Sequence, residues 1–295
     1  TGRAYDWYNV GKLRNSGFEF DLNVKLIQKK DWYWDMSVNG YTYANKMLNL
    51  PDEYKVSGMP NGNQRIYEGK DIYRWEMRQF AGLDEKGNSL WYMDRDLTDG
   101  EGNVVGVEKV TTGDATEATQ YLLEKSALPD FTGGLNTTLR WKSLDLTIMT
   151  NFQFGGYGYD YDFSAFSSAN FPMNRLKNYA DAWNPETGKG SAPIWNTNDS
   201  NINASSDRFL ISKTYFNLRN ITLGYTFPAN WMSKIGIKSV RVYFACDNVF
   251  FASKRKGYDP RTSMGGQGAT VALNSVDGTY YSPIRTTSVG LNINF

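Results

Sequence analysis

The chain contains no histidine and has a single cysteine, Cys246, among its 295 residues. The absence of histidine excludes Ser-His-Asp and Cys-His catalysis and nearly every zinc or haem site that depends on imidazole. A lone cysteine cannot form an internal disulfide, and Cys246 alternates with Val240, Val242 and Phe244, as a small apolar surface residue would. These absences weaken an enzyme assignment, and our expectation for this chain is no enzyme activity, no metal site and no cofactor.

The chain also lacks a run of about 18 apolar residues, the length that a membrane-spanning helix needs. Its 32 Lys and Arg residues offset 31 Asp and Glu residues, so the net charge of +1 predicts no nucleic-acid partner. Aromatic residues are abundant, at 15%, although the mean hydropathy is −0.55. A polar mean hydropathy together with many aromatic residues is typical of a membrane β-barrel with a water-filled lumen. A secreted β-sandwich or lectin would also fit this composition.

The end of the chain alternates between apolar and polar residues up to its last position. Val289, Leu291, Ile293 and Phe295 share one face of a predicted strand. A soluble domain rarely ends this way, because terminal residues usually fray into solvent. The last strand of a transmembrane β-barrel must pair to remove its free edge. The terminal aromatic strand resembles the signal that outer-membrane barrels present to the barrel assembly machinery.

The same alternation predicts about ten strands along the chain. They cover residues 5–10, 18–26, 32–43, 72–83, 89–93, 131–141, 144–154, 221–227, 240–250 and the closing strand, and residues 11–17 are predicted to turn. Several strands reach ~10 residues, the length that crosses a bilayer at a tilt.

The predicted connections alternate in length. Counted back from a periplasmic C-terminus, the long segments 252–281, 155–212, 94–130 and 46–71 lie outside, and the short segments 228–238, 142–143, 84–88 and 28–31 lie inside. Outer-membrane barrels are built this way, whereas a soluble sandwich has no reason for such alternation. We predict an all-β fold, an antiparallel transmembrane β-barrel in the outer membrane with long extracellular loops.

Several segments, in their order and spacing, resemble the C-terminal part of the SusC/RagA-type TonB-dependent outer-membrane transporters. They are NVGKLRNSGFEF at 9–20, PDFTGGLNTTL at 129–139, NFQFGG at 151–156, LRNITLGYTFP at 218–228, DNVF at 247–250, GYDPR at 257–261 and the terminal strand. Members of that family are much longer, with a plug domain and a 22-stranded barrel. The resemblance implies that residues 1–295 are the last ~10 strands of one barrel domain, without its plug, and cannot close alone.

The resemblance also implies a function and partners. The whole protein would import a bulky nutrient, a glycan as the first candidate and a peptide as the second, with energy from the TonB complex acting through the missing plug. A SusD-like lipoprotein would cap the extracellular loops, and outer-membrane lipid would surround the wall. Two alternatives stay open: a self-standing small porin or barrel, and a soluble secreted carbohydrate-binding β-domain.

Aromatic and acidic residues recur in the longest predicted loop. Sugar rings stack on aromatic faces while carboxylates accept from their hydroxyls, so we expect substrate contact there. The candidates are Tyr157, Tyr159, Asp160, Tyr161, Asp162, Trp183 and Trp195. The alternative is that these side chains pack the loop, because a loop this long must bury something to stay ordered.

Polar residues occupy one face of the predicted strands. Arg140, Asp145, Asn151, Gln153 and Asp247 are predicted to face the lumen, where they would line a solute path or hold a plug. On the opposite face we expect aromatic girdles near the strand ends, formed by residues such as Trp32, Trp34, Trp141, Tyr225 and Trp231.

Overall fold

A computed structural model of the chain describes residues 11–167, 177, 181–196, 200–232, 234, 236–254, 256, 259–261 and 283–295. The elements in these ranges are numbered along the chain. The strands are β1 (Lys12–Gln28), β2 (Trp32–Asn49), β3 (Met59–Asn61), β4 (Gln64–Ile66), β5 (Arg74–Arg78), β6 (Phe80–Leu83), β7 (Ser89–Thr98), β8 (Val104–Thr112), β9 (Gln120–Ser126), β10 (Phe131–Trp141), β11 (Leu144–Phe154), β12 (Tyr157–Tyr159), β13 (Leu210–Ser212), β14 (Tyr215–Thr226), β15 (Ser239–Ser253) and β16 (Thr286–Asn294). Two short helices accompany them, α1 (Tyr161–Phe166) and α2 (Ala229–Met232).

Seven strands form one antiparallel sheet, which we call the wall, in the order β1-β2-β10-β11-β14-β15-β16. The β10–β11 ladder is unbroken from the pair Phe131–Phe154 to the pair Trp141–Leu144. Directly opposed residues in such a ladder lie on the same face of the sheet, so the alternation in each sequence adds up to two continuous faces. The predicted all-β, antiparallel architecture is confirmed.

The two faces of the wall differ in chemistry. The apolar face carries cross-strand rows such as Trp34–Leu139–Leu146–Leu223–Phe244–Val289. The polar face carries the neighbouring row Tyr33–Arg140–Asp145–Gly224–Tyr243–Gly290. Phe244 is 45% exposed and Val289 is 74% exposed. The described chain therefore leaves its apolar face uncovered, as a surface that contacts lipid requires.

The connections between wall strands sort by length onto two ends. Residues 29–31, 142–143 and 227–238 join strands at one end, which we call the turn end. Residues 50–130, 155–214 and 254–285 join strands at the other end, which we call the loop end. The chain finishes at the turn end, beside Ser239. The segregation of short turns from long loops is the arrangement expected of an outer-membrane barrel.

Two of the long connections share one core, and we call residues 50–130 and 155–214, where described, the loop body. Its main cluster combines Trp75, Met77, Leu123 and Ala127 from the first connection with Tyr159, Phe209 and Leu210 from the second. The indole N–H of Trp75 donates to the carbonyl of Tyr157 at 3.0 Å. The backbone N–H of Phe80 donates to the Asp207 carboxylate at 2.9 Å. The two connections thus pack as one unit above the wall.

Some predicted strands lie outside the wall. Residues 72–83 form β5 and β6, which belong to two small sheets of the loop body, and residues 89–93 start β7 in one of those sheets. The turn at 84–88 was expected at the periplasmic side, which is wrong, because the Ile194 N–H from the second long connection donates to the carbonyl of Gly87 at 2.8 Å. The turn therefore belongs to the loop end.

The predicted turn at residues 11–17 is also wrong. Gly17 lies within β1 opposite Tyr43, and Lys12 lies opposite Asn49. Pairing with the long strand β2 overrides the turn preference of glycine and asparagine in this stretch. The strand predicted at 5–10 lies outside the described residues.

Aromatic rings gather on the apolar face near both ends of the wall. At the loop end, the Phe131 ring lies 6.4 Å from that of Phe20 and 6.1 Å from that of Phe152. A Cβ on Gly40 would fall 2.4 Å from the Phe131 ring, so glycine makes room for it. At the turn end, the rings of Trp32 and Trp141 lie 5.7 Å apart. Ten residues separate the ends of β10, about 25 Å along the membrane normal for a tilted strand, which is the height of a barrel's apolar band.

Candidate functional site

The polar face holds an ion pair that spans three strands. Arg241 on β15 reaches across Gly224 on β14 to Asp145 on β11, with Nε–Oδ1 at 3.1 Å and Nη2–Oδ2 at 2.5 Å. A Cβ on Gly224 would lie 2.3 Å from Nη2 of Arg241, so only glycine leaves this space. The Arg140 guanidinium lies over the Tyr33 ring at 5.0 Å. Charges are thus fixed on this face near the turn end.

The other three predicted lumen residues lie on the same face, closer to the loop end. Asn151 accepts a hydrogen bond from Asn217 at 2.8 Å and donates to the Tyr215 hydroxyl at 3.1 Å. Gln153 donates to the carbonyl of Lys213 at 3.3 Å. Asp247 accepts from Asn220 at 2.8 Å.

Three buried oxygens on the polar face have no hydrogen-bond partner among the described residues. They are Asp35 Oδ1, Thr132 Oγ1 and Asn217 Oδ1. Buried polar atoms normally find a partner, so an ordered water is the kind of group that would complete the hydrogen bonding of these oxygens. The five residues predicted to face the lumen therefore share one hydrophilic surface.

The tyrosines and aspartate predicted to bind substrate lie inside the loop body. Tyr159 is 4% exposed, and its ring lies 4.6 Å from that of Tyr161. Asp160 is 3% exposed and accepts from the backbone N–H of Phe163 at the start of α1. Tyr157 packs against the same cluster. In this structure the four residues order the loop body, which is the alternative stated for them; the side chain of Asp162 lies outside the described residues.

Burial changes the acidity of two of these tyrosines. It raises the pKa of Tyr161 from 10.0 to about 12, with a smaller contribution from neighbouring Tyr159. Burial also raises the pKa of Tyr159. Both phenols therefore stay protonated well into the alkaline range, as packed hydroxyls do.

The two predicted tryptophans lie on the surface strip at residues 181–196. Trp183 packs against the β6–β7 turn, where a Cβ on Gly87 would lie 2.2 Å from the indole. Trp195, in contrast, is 52% exposed. Of the aromatic side chains predicted to contact substrate, Trp195 presents the most open surface.

A charged cluster that the sequence reasoning missed lies where the loop body meets the wall. The Arg74 guanidinium donates to Asp71 at 3.1 Å and to Glu124. The hydrogen bond from Arg74 lowers the pKa of Glu124. The three-residue spacing between Asp71 and Arg74 is a sequence pattern from which their ion pair could have been predicted. Glu124 could not have been predicted as a partner in this way, because it lies fifty residues from Arg74 in sequence.

The predicted assembly signal lies at the edge of the wall. Val289, Leu291 and Ile293 lie on the apolar face of β16, opposite Phe244, Val242 and Val240. Phe295 follows the strand and is 77% exposed.

None of the described helices has the length and apolar character needed to cross a membrane. No group of three or more Cys, Asp and Glu side chains in the described ranges is arranged to hold a metal ion.

A sheet with one apolar and one polar face, aromatic rings at both ends and long connections at one end has the architecture of part of an outer-membrane β-barrel. Comparisons of the chain with known proteins support this class of architecture. No protein-family model matches the chain. The chain is 25% identical to TonB-dependent receptor P3 of Formosa agariphila, over all of this chain and 30% of that receptor. It is 26% identical to TonB-dependent receptor SusC of Bacteroides thetaiotaomicron, over 97% of this chain and 27% of SusC.

A solved structure shows the same relationship. The structure of the RagAB peptide transporter matches with a TM-score of 0.74 and 26% identity, over 97% of this chain and 30% of that chain. The chain is therefore a segment of a SusC/RagA-type TonB-dependent receptor, a class of outer-membrane β-barrel proteins. It spans about 30% of the length of the curated relatives that it matches.

Proposed function

We propose that the whole protein is a TonB-dependent transporter that imports a bulky nutrient, a glycan rather than a peptide, across the outer membrane. The wall of this chain supports the proposal, because its apolar face suits lipid and its polar face suits a solute path. Residues 1–295 would form one part of a single barrel domain, and upstream strands and a plug would complete it. The turn end would be periplasmic and the loop end extracellular.

The energy source follows from the same proposal. Nothing in the described wall supplies energy for uptake against a gradient. The TonB complex would supply it through the plug, as the names of the matched receptors imply for those proteins.

Growth experiments test the transport function. Cells lacking the full-length gene, and cells depleted of TonB, are grown on single neutral polysaccharides, single acidic polysaccharides or a tryptic protein digest. We expect loss of growth on one neutral polysaccharide in both strains. Loss of growth on the peptide digest alone would indicate a peptide substrate in place of a glycan. Unchanged growth on every substrate would overturn the proposed transport function.

We also propose that a SusD-like surface lipoprotein docks on the loop body. The β7–β8 hairpin supports this contact, because its outer half is exposed and carries apolar side chains. Val104 is 59% exposed, Val105 is 66% exposed and Val107 is 59% exposed. Acidic residues outnumber basic residues on the hairpin. The acidic ones are Asp94, Asp96, Asp99, Glu101 and Glu108, and the basic ones are Arg95 and Lys109. A two-stranded ribbon is marginal alone in water, so a partner with a basic rim around an apolar groove would stabilise it.

A co-purification experiment tests the partner. Full-length tagged protein is purified from cells labelled with radioactive palmitate, which marks lipoproteins. We expect a labelled lipoprotein to co-purify with the parent and with Val56→Asp, and to be lost from Val105→Asp/Val107→Asp. Val56 is the matched control because it is 93% exposed elsewhere in the loop body. Equal recovery of the lipoprotein with all three proteins would refute docking at the hairpin.

A further inference from the structure

A cleft of about 590 Å³ lies between the loop ends of β1 and β2 and the loop body. Tyr43 and Asn45 line it from the wall, and Arg74, Glu124 and Tyr157 line it from the loop body. This volume falls in the range of small-molecule sites, about 300–1,000 Å³. Because the cleft lies where the polar face meets the loops, a solute that follows that face would pass it.

One side of the cleft is held rigidly. The Asn45 carboxamide accepts from the backbone N–H of Ile72 at 3.2 Å and donates to Asn15 at 2.6 Å. Asp71 accepts from the Ser126 hydroxyl at 2.7 Å, in addition to Arg74. The loop body is therefore fixed to β1 and β2 at this point. Groups fixed before binding cost little entropy when a ligand arrives.

Other lining groups are available to a ligand. Within the described residues, the Asp130 carboxylate and the hydroxyls of Tyr43 and Tyr157 make no hydrogen bond. Glu124 is held by Arg74 but its side chain remains 78% exposed. The cleft thus combines free acceptors with two phenol rings.

The charge of the lining is negative. Three carboxylates, Asp71, Glu124 and Asp130, face the Arg74 guanidinium, and the Lys70 ammonium lies 4.0 Å from Glu124. Adjacent negative groups repel an anionic ligand and accept hydrogen bonds from hydroxyl donors. The lining has few apolar side chains, Ala44, Leu128 and Pro129.

We propose that this cleft binds uncharged oligosaccharides, with sugar hydroxyls donating to Asp130 and Glu124 and a sugar face resting on Tyr43. The proposal deepens the transport function proposed above and rests on it. It also predicts a preference: acidic oligosaccharides bind more weakly, because three carboxylates surround the site.

Calorimetric titration of the full-length protein in detergent tests the proposal. The probes are a panel of uncharged gluco- and manno-oligosaccharides, a uronic-acid oligosaccharide and a lysine-rich peptide. We expect an uncharged oligosaccharide to bind, and Asp130→Asn to weaken that binding about tenfold, as loss of a charged acceptor should. Tyr43→Ala should weaken it as well.

The matched control is Asp96→Asn, which removes an exposed carboxylate from the distant hairpin and should leave binding unchanged. Equal affinity in the parent, Asp130→Asn and Tyr43→Ala proteins would overturn the cleft assignment, even if uptake in cells continued. Tighter binding of the lysine-rich peptide than of every oligosaccharide would also overturn it. Loss of the transport function would appear separately, in the growth experiment.

Discussion

Arg241 and Asp145 form an ion pair directly over Gly224, which lies on the strand between them. Their side chains are 30% and 22% exposed. The pair therefore ties β11 to β15, two strands that share no backbone ladder. The missing side chain of Gly224 is what allows this contact.

Gly224→Ala should displace this pair. The new Cβ would lie 2.3 Å from Arg241 and 2.6 Å from Asp145, so the guanidinium must move. We expect a loss of about 1–3 kcal/mol in the unfolding free energy of the full-length barrel, measured by urea titration in detergent micelles. Gly106→Ala is the control, because its Cβ would meet only Leu97, at 3.8 Å. Equal stability of the two variants would show that the pair contributes nothing.

Ile148→Arg should destabilise the barrel more than Met149→Arg, because the two residues lie on opposite faces of the wall. Ile148 lies on the apolar face between Thr137 and Ile221, near the middle of β11. An arginine at the bilayer midplane costs about 2–4 kcal/mol. Met149→Arg, one residue along on the polar face, should cost about 0.5 kcal/mol. Urea titration in lipid vesicles checks both, and a larger cost for Met149→Arg would mean that the faces are assigned the wrong way round.

Phe209→Ala should loosen both connections of the loop body together. Phe209 is fully buried, and its ring lies 5.8 Å from that of Tyr159 and 5.4 Å from that of Phe163. The lost packing corresponds to about 3–5 kcal/mol. We expect limited proteolysis to cut within both 50–130 and 155–214, while the barrel stays heat-modifiable on a gel. Val56→Ala should change nothing, and cuts confined to 155–214 would contradict a shared core.

The loop body should lose stability as the pH rises from about 10 to 12. The pKa of Tyr161 is raised from 10.0 to about 12 in the folded state. Between these two pH values the unfolded chain loses the phenol proton while the folded chain keeps it, so the free energy of unfolding falls. The stabilisation by the protonated phenol is therefore complete below pH 10 and is lost as the pH rises through 12. Tyr161→Phe should reduce this alkaline loss. Thermal unfolding followed by tryptophan fluorescence at several pH values measures it, with Tyr92→Phe as the control. An unchanged pH dependence in Tyr161→Phe would assign the alkaline loss to other groups.

Strand periodicity is strong enough to predict much of the wall. The strands predicted at 131–141 and 144–154 are β10 and β11, residue for residue. A membrane wall repeats one local rule, apolar outward and polar inward, so each strand carries its own signal. The same rule placed Arg140, Asp145, Asn151, Gln153 and Asp247 on one face.

The loop body could not be predicted in this way. Trp75 and Tyr157 meet although they lie 82 residues apart, and nothing local marks them as partners. Aromatic residues at 157–163 look alike in sequence whether they bind a ligand or fill a core. Alternation at 72–83 likewise predicts a strand without indicating which sheet the strand joins.

The shared core also has a consequence for assembly. Its two connections leave from β2, β10, β11 and β14, four consecutive strands of the wall. A slip of one residue between β10 and β11 would shift the two connections past each other and separate Trp75 from Phe209. Exposure of these rings to water would then raise the free energy of a wall whose strands are paired out of register. The shared core of the loop body therefore packs as observed only when β2, β10, β11 and β14 pair in the observed register.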